Sequence, residues 1–187
     1  MIRIIAGRFK GHKLKSGLDR HGFRPTKDRV KESLFSILGN LEGKKVLDIF
    51  AGSGNLGFEA LSRGAVQVTF VENNFQQCQI IRDNAEKIHV AHMVRIMKQN
   101  GFRYLEKLTE SFDLVLADPP YQFNEMGKLV NLMVKKLPDT QIVLETAPEI
   151  DITKTIQRFN PVEKKYGNTK LIIYKVENEK CTVSGDI

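Results

Sequence analysis

The sequence predicts an α/β fold: a doubly wound, mostly parallel sheet with a C-terminal antiparallel hairpin and an N-terminal basic arm. Three observations carry this. From Lys45 onward, short apolar runs alternate with stretches of helical period. The first run, Lys45 to Phe50, opens into Gly52-Ser53-Gly54-Asn55-Leu56-Gly57, a glycine loop between a strand and a helix. The last two runs, about 161–166 and 170–176, are separated by Gly167-Asn168-Thr169, which suits a hairpin.

In chain order, residues 1–24 form a basic arm or hairpin, and residues 25–187 form one domain. Ile2, Ile4 and Phe9 suggest short strands in the arm, too few to stand alone. A helix then starts at Pro25 with Thr26 as its cap; Val30, Leu34, Ile37 and Leu38 form its apolar stripe, and Gly39-Asn40 ends it. After the glycine loop a helix runs from about 55 to 63. Val66, Val68, Phe70 and Val71 make the next strand, closed by Glu72. A helix with Phe75, Cys78, Ile81, Ala85 and Ile88 on one face follows. Met93, Val94 and Ile96 form the third strand, and Phe102, Tyr104, Leu105 and Leu108 a short helix. Phe112 to Ala117 is a very apolar fourth strand ending in Asp118-Pro119-Pro120-Tyr121. A helix lined by Met126, Leu129, Val130, Met133 and Leu137 precedes a fifth strand at Ile142-Val143-Leu144. Ile152, Ile156 and Phe159 belong to a short helix or turn, and the polar end, 177–187, is expected to fray.

At 187 residues, with 41% hydrophobic and 27% charged side chains, the composition is that of a globular domain with a real core. No apolar run suits a membrane span and no signal peptide is visible, so a cytoplasmic location without membrane contact is expected. Cys78 and Cys181 read as free thiols of a reducing compartment. His12, His21, His89 and His92 show no metal spacing with them; no metal is expected, and His89 and His92 read as a surface turn.

The charge is unevenly placed. Residues 1–31 hold ten Lys and Arg against Asp19 and Asp28, a net +8, while the remaining 156 residues sum to −1. Such asymmetry suits a polyanion partner, with Arg3, Arg8, Lys10, Lys13, Arg24 and Arg29 as candidate RNA contacts. A solvated basic segment is the bland alternative.

The glycine loop admits two enzyme classes, dinucleotide oxidoreductases and S-adenosylmethionine (AdoMet) methyltransferases, besides a plain structural turn. Asp48, a carboxylate inside an apolar strand, separates them. It would oppose a pyrophosphate at the loop, whereas AdoMet carries a sulfonium and an ammonium that a carboxylate favours. Glu72, 18 residues beyond Gly54, stands where an acidic residue meets ribose hydroxyls. In Asp118-Pro119-Pro120-Tyr121 the prolines cannot continue a sheet, and the tetrapeptide suits a flat base bearing an exocyclic amine. The Asp118 carboxylate and a loop carbonyl can accept the amine N–H groups, and Tyr121 can stack on the base. Gln99-Asn100-Gly101-Phe102 can meet an adenine ring, through Asn100 and Phe102. The backbone entering the helix at Arg24-Pro25-Thr26 can close over the methionine end of the cofactor or grip phosphate.

Taken together, Arg24-Pro25-Thr26 with Arg29-Val30 and Leu34-Phe35, Asp48 with Phe50-Ala51-Gly52-Ser53-Gly54 and Gly57, Glu72-Asn73 and Asp118-Pro119-Pro120-Tyr121 resemble the RsmD-type methyltransferases. The opening Ile2-Arg3-Ile4-Ile5-Ala6-Gly7 with Lys10-Gly11, and the late Tyr166-Gly167 with Thr169, extend the resemblance from residue 2 to about 176. It implies a Rossmann-like class I AdoMet-dependent methyltransferase that modifies the exocyclic amine of a guanine in small-subunit (16S) ribosomal RNA. It further implies cofactor contacts at Asp48, Phe50, Ala51, Gly52, Ser53 and Gly54 of the loop, at Glu72 and at Asn100; the reading of the residues themselves adds Asn73, Gly101, Phe102, Pro25 and Thr26 as expected cofactor contacts. Amine recognition falls at Asp118, Pro119, Pro120 and Tyr121. The implied partner is ribosomal RNA or the assembling small subunit, with no obligate protein partner evident. Where many AdoMet enzymes have Asp, this chain has Asn100. An adenine amino-methyltransferase acting on DNA or RNA is the nearest alternative, since the same tetrapeptide serves that amine.

Overall fold

The structure, a computed structural model, describes residues 2–17, 25–120 and 125–176; of residues 25–27 and 153 it describes the backbone alone. Arg24, Tyr121, Cys181 and the polar end therefore lie outside the described residues. The elements are β1 (Ile2–Arg3), β2 (Lys13–Leu14), α1 (Pro25–Leu38), β3 (Lys45–Ile49), α2 (Asn55–Ser62), β4 (Gln67–Glu72), α3 (Phe75–Lys87) and β5 (Val94–Lys98). Then come α4 (Gly101–Glu106), β6 (Leu114–Ala117), α5 (Met126–Lys136), β7 (Gln141–Thr146), α6 (Thr153–Ile156), β8 (Val162–Tyr166) and β9 (Thr169–Lys175).

Seven strands form one sheet in the order β5-β4-β3-β6-β7-β9-β8. The first five are parallel, and β9 runs antiparallel to both β7 and β8. Because β3 leads outward to β4 and β5 while β6 and β7 lie on its other side, the order reverses between β3 and β6. A crevice opens at the carboxyl ends of strands at such a point.

Side-chain alternation along the strands builds a core on each face. Val46, Val68, Phe70, Leu114 and Leu116 pack with Leu34 of α1, Phe58 and Leu61 of α2 and Ile81 of α3. Leu47, Ile49, Val71, Val115 and Ala117 pack on the other side with Leu105 of α4, Leu129 and Met133 of α5 and Ile156 of α6. Asp48 shares its face of β3 with Val46 and so looks toward α2. Burying a side chain such as Phe58 or Leu61 contributes about 1.5–3 kcal/mol, which is why α2 cannot shift without cost to the sheet.

Several boundaries differ from expectation. α1 begins at Pro25, so Thr26 lies inside the helix instead of capping it; proline suits a first helical position, where its missing N–H would be unpaired anyway. Ile37 is 37% exposed, and Phe35 takes its expected place in the core. Phe75 is 63% exposed: as the first residue of α3 it stands off the face set by Cys78, Ile81 and Ala85, and Lys98 Nζ lies 5.4 Å from its ring centre. Met93 belongs to a short 3-10 turn before β5, and Thr169 pairs with Tyr166 within the hairpin. That leaves a two-residue turn, with Gly167 at φ +57 in the first central position, as a type II′ turn requires.

The basic N-terminal segment is a hairpin closed by Ile2↔Leu14 and Arg3↔Lys13 pairing and clamped to the helices. Ile4 and Leu14 enter the core beneath α2 and α3. Glu59 of α2, fully buried, accepts the Ile5 and Ala6 N–H groups at 2.9 and 3.1 Å. Ser62 Oγ receives the Phe9 N–H and donates to the Ala6 carbonyl. Asn84 of α3 both accepts from Lys15 N and donates to Lys15 O, as another strand would.

Candidate active site

β3 ends where the chain must turn sharply. Phe50 adopts φ +64, and its N–H and that of Ala51 both donate to the Val71 carbonyl. Gly52 follows at φ +54 with open space where a Cβ would stand, and its N–H donates to Glu72 Oε2 at 2.8 Å. Gly54, at φ +83, precedes α2 and offers it no capping side chain. Asp48 supplies the missing acceptor from the neighbouring strand: its Oδ2 receives the Gly57 N–H at 2.9 Å, in the first turn of α2.

The glycines thus differ in what requires them. Gly52 keeps the floor of the crevice open. A Cβ on Gly54 would lie 2.8 Å from the Phe58 ring, and one on Gly57 2.3 Å from the Phe70 ring and 2.9 Å from Asp48 Oδ2. Packing, not ligand approach, demands glycine at the latter two.

A cleft of about 280 Å³ opens over this floor. Asp48, Phe50, Ala51, Gly52 and Ser53 line it, and so does Asp118 from the end of β6. Burial pushes the Asp48 carboxyl well above the ordinary range against the Gly57 hydrogen bond, and the Asp118 and Glu72 carboxylates push it further. The field in the cleft therefore favours a cation. Pro119 is buried and Pro120 exposed, so the loop leaves the sheet stiffly, with Asp118 at its mouth.

Other expected residues frame the floor without lining this cleft. Both Glu72 oxygens accept backbone N–H groups, of Gly52 and of Asn74 at 2.7 Å, so Glu72 joins the glycine loop to the start of α3. Asn73 is exposed beside it. Asn100 caps α4, its Oδ1 accepting from the Phe102 and Arg103 N–H groups. Gly101 lies under the Phe50 ring, where a Cβ would be 2.9 Å from it, and Phe102 carries Lys128 Nζ 5.0 Å from its ring centre.

Several residues of the cleft were not foreseen. Glu145, one step beyond the Ala117↔Leu144 pair, stands on β7 beside Asp118, and both also line a smaller hollow with Pro119 and Pro120. Lys31, Asn55, Asn168 and Thr169 complete the far wall. Lys31 is buried, with Nζ donating to the Arg3 carbonyl at 2.6 Å and to Asn55 Oδ1 at 2.9 Å, and lying 3.5 Å from Glu59. Burial lowers its pKa, and Glu59 opposes that shift. The Tyr166 hydroxyl, hydrogen-bonded to Ser33, ties the hairpin to α1. The sequence signal was present in Tyr166-Gly167-Asn168-Thr169, but only the antiparallel insertion of β9 beside β7 brings that turn to the cleft.

The basic candidates do not share one face. Arg3, Lys10 and Arg29 line a groove between the hairpin and α1, where Arg3 pairs with Asp28 at 2.9 Å. Lys13 is exposed on β2, and Arg8 opens on a separate groove. No group of three or more His, Cys, Asp or Glu among the described residues could hold a metal ion, and no helix among them is long and apolar enough to cross a membrane.

The chain, compared as a whole with known proteins, has clear relatives. The chain is 37% identical over 152 residues, 78% of each chain, to the ribosomal RNA small subunit methyltransferase D of Haemophilus influenzae. A solved Escherichia coli structure assigned as a methyltransferase matches at TM-score 0.79 and 32% identity, over 95% of this chain and 99% of that one. The Thermus thermophilus 16S rRNA N2 G1207 methyltransferase, solved with AdoMet and guanosine, shares the fold at TM-score 0.70 and 21% identity, over 86% of this chain and 45% of its own. The family model described as Conserved hypothetical protein 95 matches residues 2–175. The chain therefore belongs to this family, that of the RsmD-type methyltransferases, and is a methyltransferase of Rossmann-like fold.

Proposed function

We propose that this enzyme transfers a methyl group from AdoMet to the exocyclic N2 of a guanine in 16S ribosomal RNA, in free RNA or the assembling small subunit in the cytoplasm. The observation that carries the reading is the cleft between β3 and β6, where Asp118 faces a floor built from Asp48, Gly52 and Ser53. The residues fit the cofactor: a glycine with open space above it, a buried carboxylate that favours a cation, and room between them. Asp48, Phe50, Ala51, Gly52, Ser53 and Gly54 would hold it, with Glu72, Asn73, Asn100, Gly101 and Phe102 toward its nucleoside and Pro25-Thr26 toward its amino-acid end. When bound, AdoMet supplies an electrophilic methyl group.

The protein's part is to make a conjugated amine nucleophilic. Asp118, acceptor-only when ionised, takes one amine N–H, and the Pro119 carbonyl takes the other. Drawing the N–H groups into the loop turns the nitrogen lone pair away from the ring and toward the cofactor side. The same acceptors stabilise the positive charge that grows on nitrogen, an effect of about 3 kcal/mol for one such contact. Asp118 then holds the proton the amine must shed. An aromatic side chain following Pro120, Tyr121 in the sequence, would serve to stack on the base.

Glu145 favours guanine over the adenine alternative. Guanine presents an N1–H donor beside its amine, whereas adenine presents the N1 lone pair at the corresponding edge. A carboxylate next to Asp118 accepts the former and repels the latter. The test is a labelled-methyl assay on small-subunit particles from cells lacking the enzyme, with the product nucleoside identified by mass spectrometry. N2-methylguanosine is expected; N6-methyladenosine would establish the alternative, and no incorporation from AdoMet would overturn both.

A further inference from the structure

At the opposite end of the sheet from the cleft, a groove of about 450 Å³ runs between the hairpin tip and the turn joining α3 to β5. Arg8, Phe9 and His12 line it from the hairpin, and Lys87, His89, His92 and Met93 from the turn. Residues about 80 positions apart in sequence thus bring three of the four histidines together with two cations. No carboxylate is among the described residues that line it. The groove is built, not incidental. Arg8 lies over the Phe9 ring at 5.1 Å, and His12 meets that ring edge-on while its Nδ1 donates to the Phe9 carbonyl. Lys87 Nζ donates to the Lys13 carbonyl at 2.6 Å, joining α3 to β2, and His89 turns the chain at φ +58.

We propose that this groove binds the sugar-phosphate backbone of RNA, anchoring the substrate at a point remote from the modified base. The inference rests on the rRNA reading for the identity of the polyanion. Arg8 and Lys87 supply charge, His89 and His92 supply imidazole donors, and Phe9 offers an aromatic face to a nucleotide. Metal binding is disfavoured, since no three metal-ligating side chains among the described residues are placed to hold one ion. The turn lies at the amino end of β5 and the cleft beyond the carboxyl ends of β3 and β6, so the two are separated by roughly 15 Å or more. One strand of a few nucleotides cannot fill both; a folded RNA can. The second contact then adds its affinity as an intramolecular event.

The test compares wild type with Arg8→Gln, Lys87→Gln and His92→Gln, using a folded RNA of about 40 nucleotides and a short hairpin confined to the target base. Circular dichroism and AdoMet calorimetry confirm the fold of each variant. For the folded RNA, loss of the Arg8 or the Lys87 charge should lower the slope of log K against log salt by about one, and each of the three variants should raise KM several-fold with kcat unchanged. For the short hairpin, KM should not move. Equal KM values for wild type and variants on the folded RNA would overturn the proposal. If wild type binds neither RNA, the rRNA reading fails first, and a KM rise on both RNAs alike would place these residues in the base-proximal site and overturn the anchor.

Discussion

Two carboxylates are buried against the same helix, Glu59 within α2 and Asp48 on the strand beside it, and they are treated in opposite ways. Glu59, in the middle of α2, receives two backbone N–H groups, lies 2.8 Å from Arg63 Nε and 3.5 Å from Lys31 Nζ. Asp48, on β3, receives one N–H from the first turn of α2 and faces other carboxylates. The first is surrounded by donors and cations and holds the hairpin in place. The second is left short of positive charge at the floor of a cleft. Burial alone therefore does not mark function; a buried charge whose compensation must come from outside the chain does.

Four substitutions put that contrast to the test. Glu59→Ala should have the largest effect, a loss of about 3–5 kcal/mol in urea denaturation, because Lys31 is left buried without its counter-charge and the hairpin loses its acceptors. A loss under about 1 kcal/mol would mean that the network is dispensable. Asp118→Asn should leave AdoMet affinity within about two-fold but lower kcat by roughly 10²–10³, the cost of losing one contact to developing charge. Loss of cofactor binding instead would make Asp118 part of the floor. Gly57→Ala should cost about 1–3 kcal/mol, as the new methyl meets the Phe70 ring and Asp48; an unchanged melting temperature would refute that packing.

Asp48→Asn should have the smallest effect on stability, and of the opposite sign: a gain of about 1 kcal/mol in the apo protein with weaker AdoMet binding. The linkage follows from the raised folded-state pKa. Between the unfolded value and the folded one, the native state holds the extra proton, so this group's contribution to stability is full below the unfolded pKa and is lost as pH rises through the folded pKa. A cationic ligand favours the ionised form, so AdoMet binding should release protons in that window. Calorimetry in buffers of different ionisation enthalpy would measure the release, and an Asp48→Asn variant that releases as many would assign it elsewhere.

The strand–helix alternation was legible because both faces of the sheet are covered, which leaves nearly continuous apolar runs such as Leu114–Ala117. Asp48 and Asp118 were legible for the converse reason, as carboxylates against that apolar background. Glu145 and Lys31 were not, since each sits in an ordinary polar position and only the β6–β7 pairing and the hairpin contact give it a role. Glu59 was missed likewise: in sequence it is one acid on an amphipathic helix. The glycine loop was read in outline, but that Gly57 answers to Phe70 and Asp48 depends on how α2 lies across β3 and β4. Asn100 was assigned to the cofactor because its strand-end position suits that role; that its Oδ1 caps α4 is a matter of local backbone geometry.

The hairpin's attachment has a consequence for how a nucleic acid would be met. Because Ile4, Leu14 and the Glu59 network bury its base, the hairpin cannot lift away without exposing an ion pair and a piece of core. Arg8 and Lys10 are therefore presented from a stiff mount, unlike the charges of a disordered tail. An incoming backbone would find its register already set, and little of the attraction would be spent on freezing the protein.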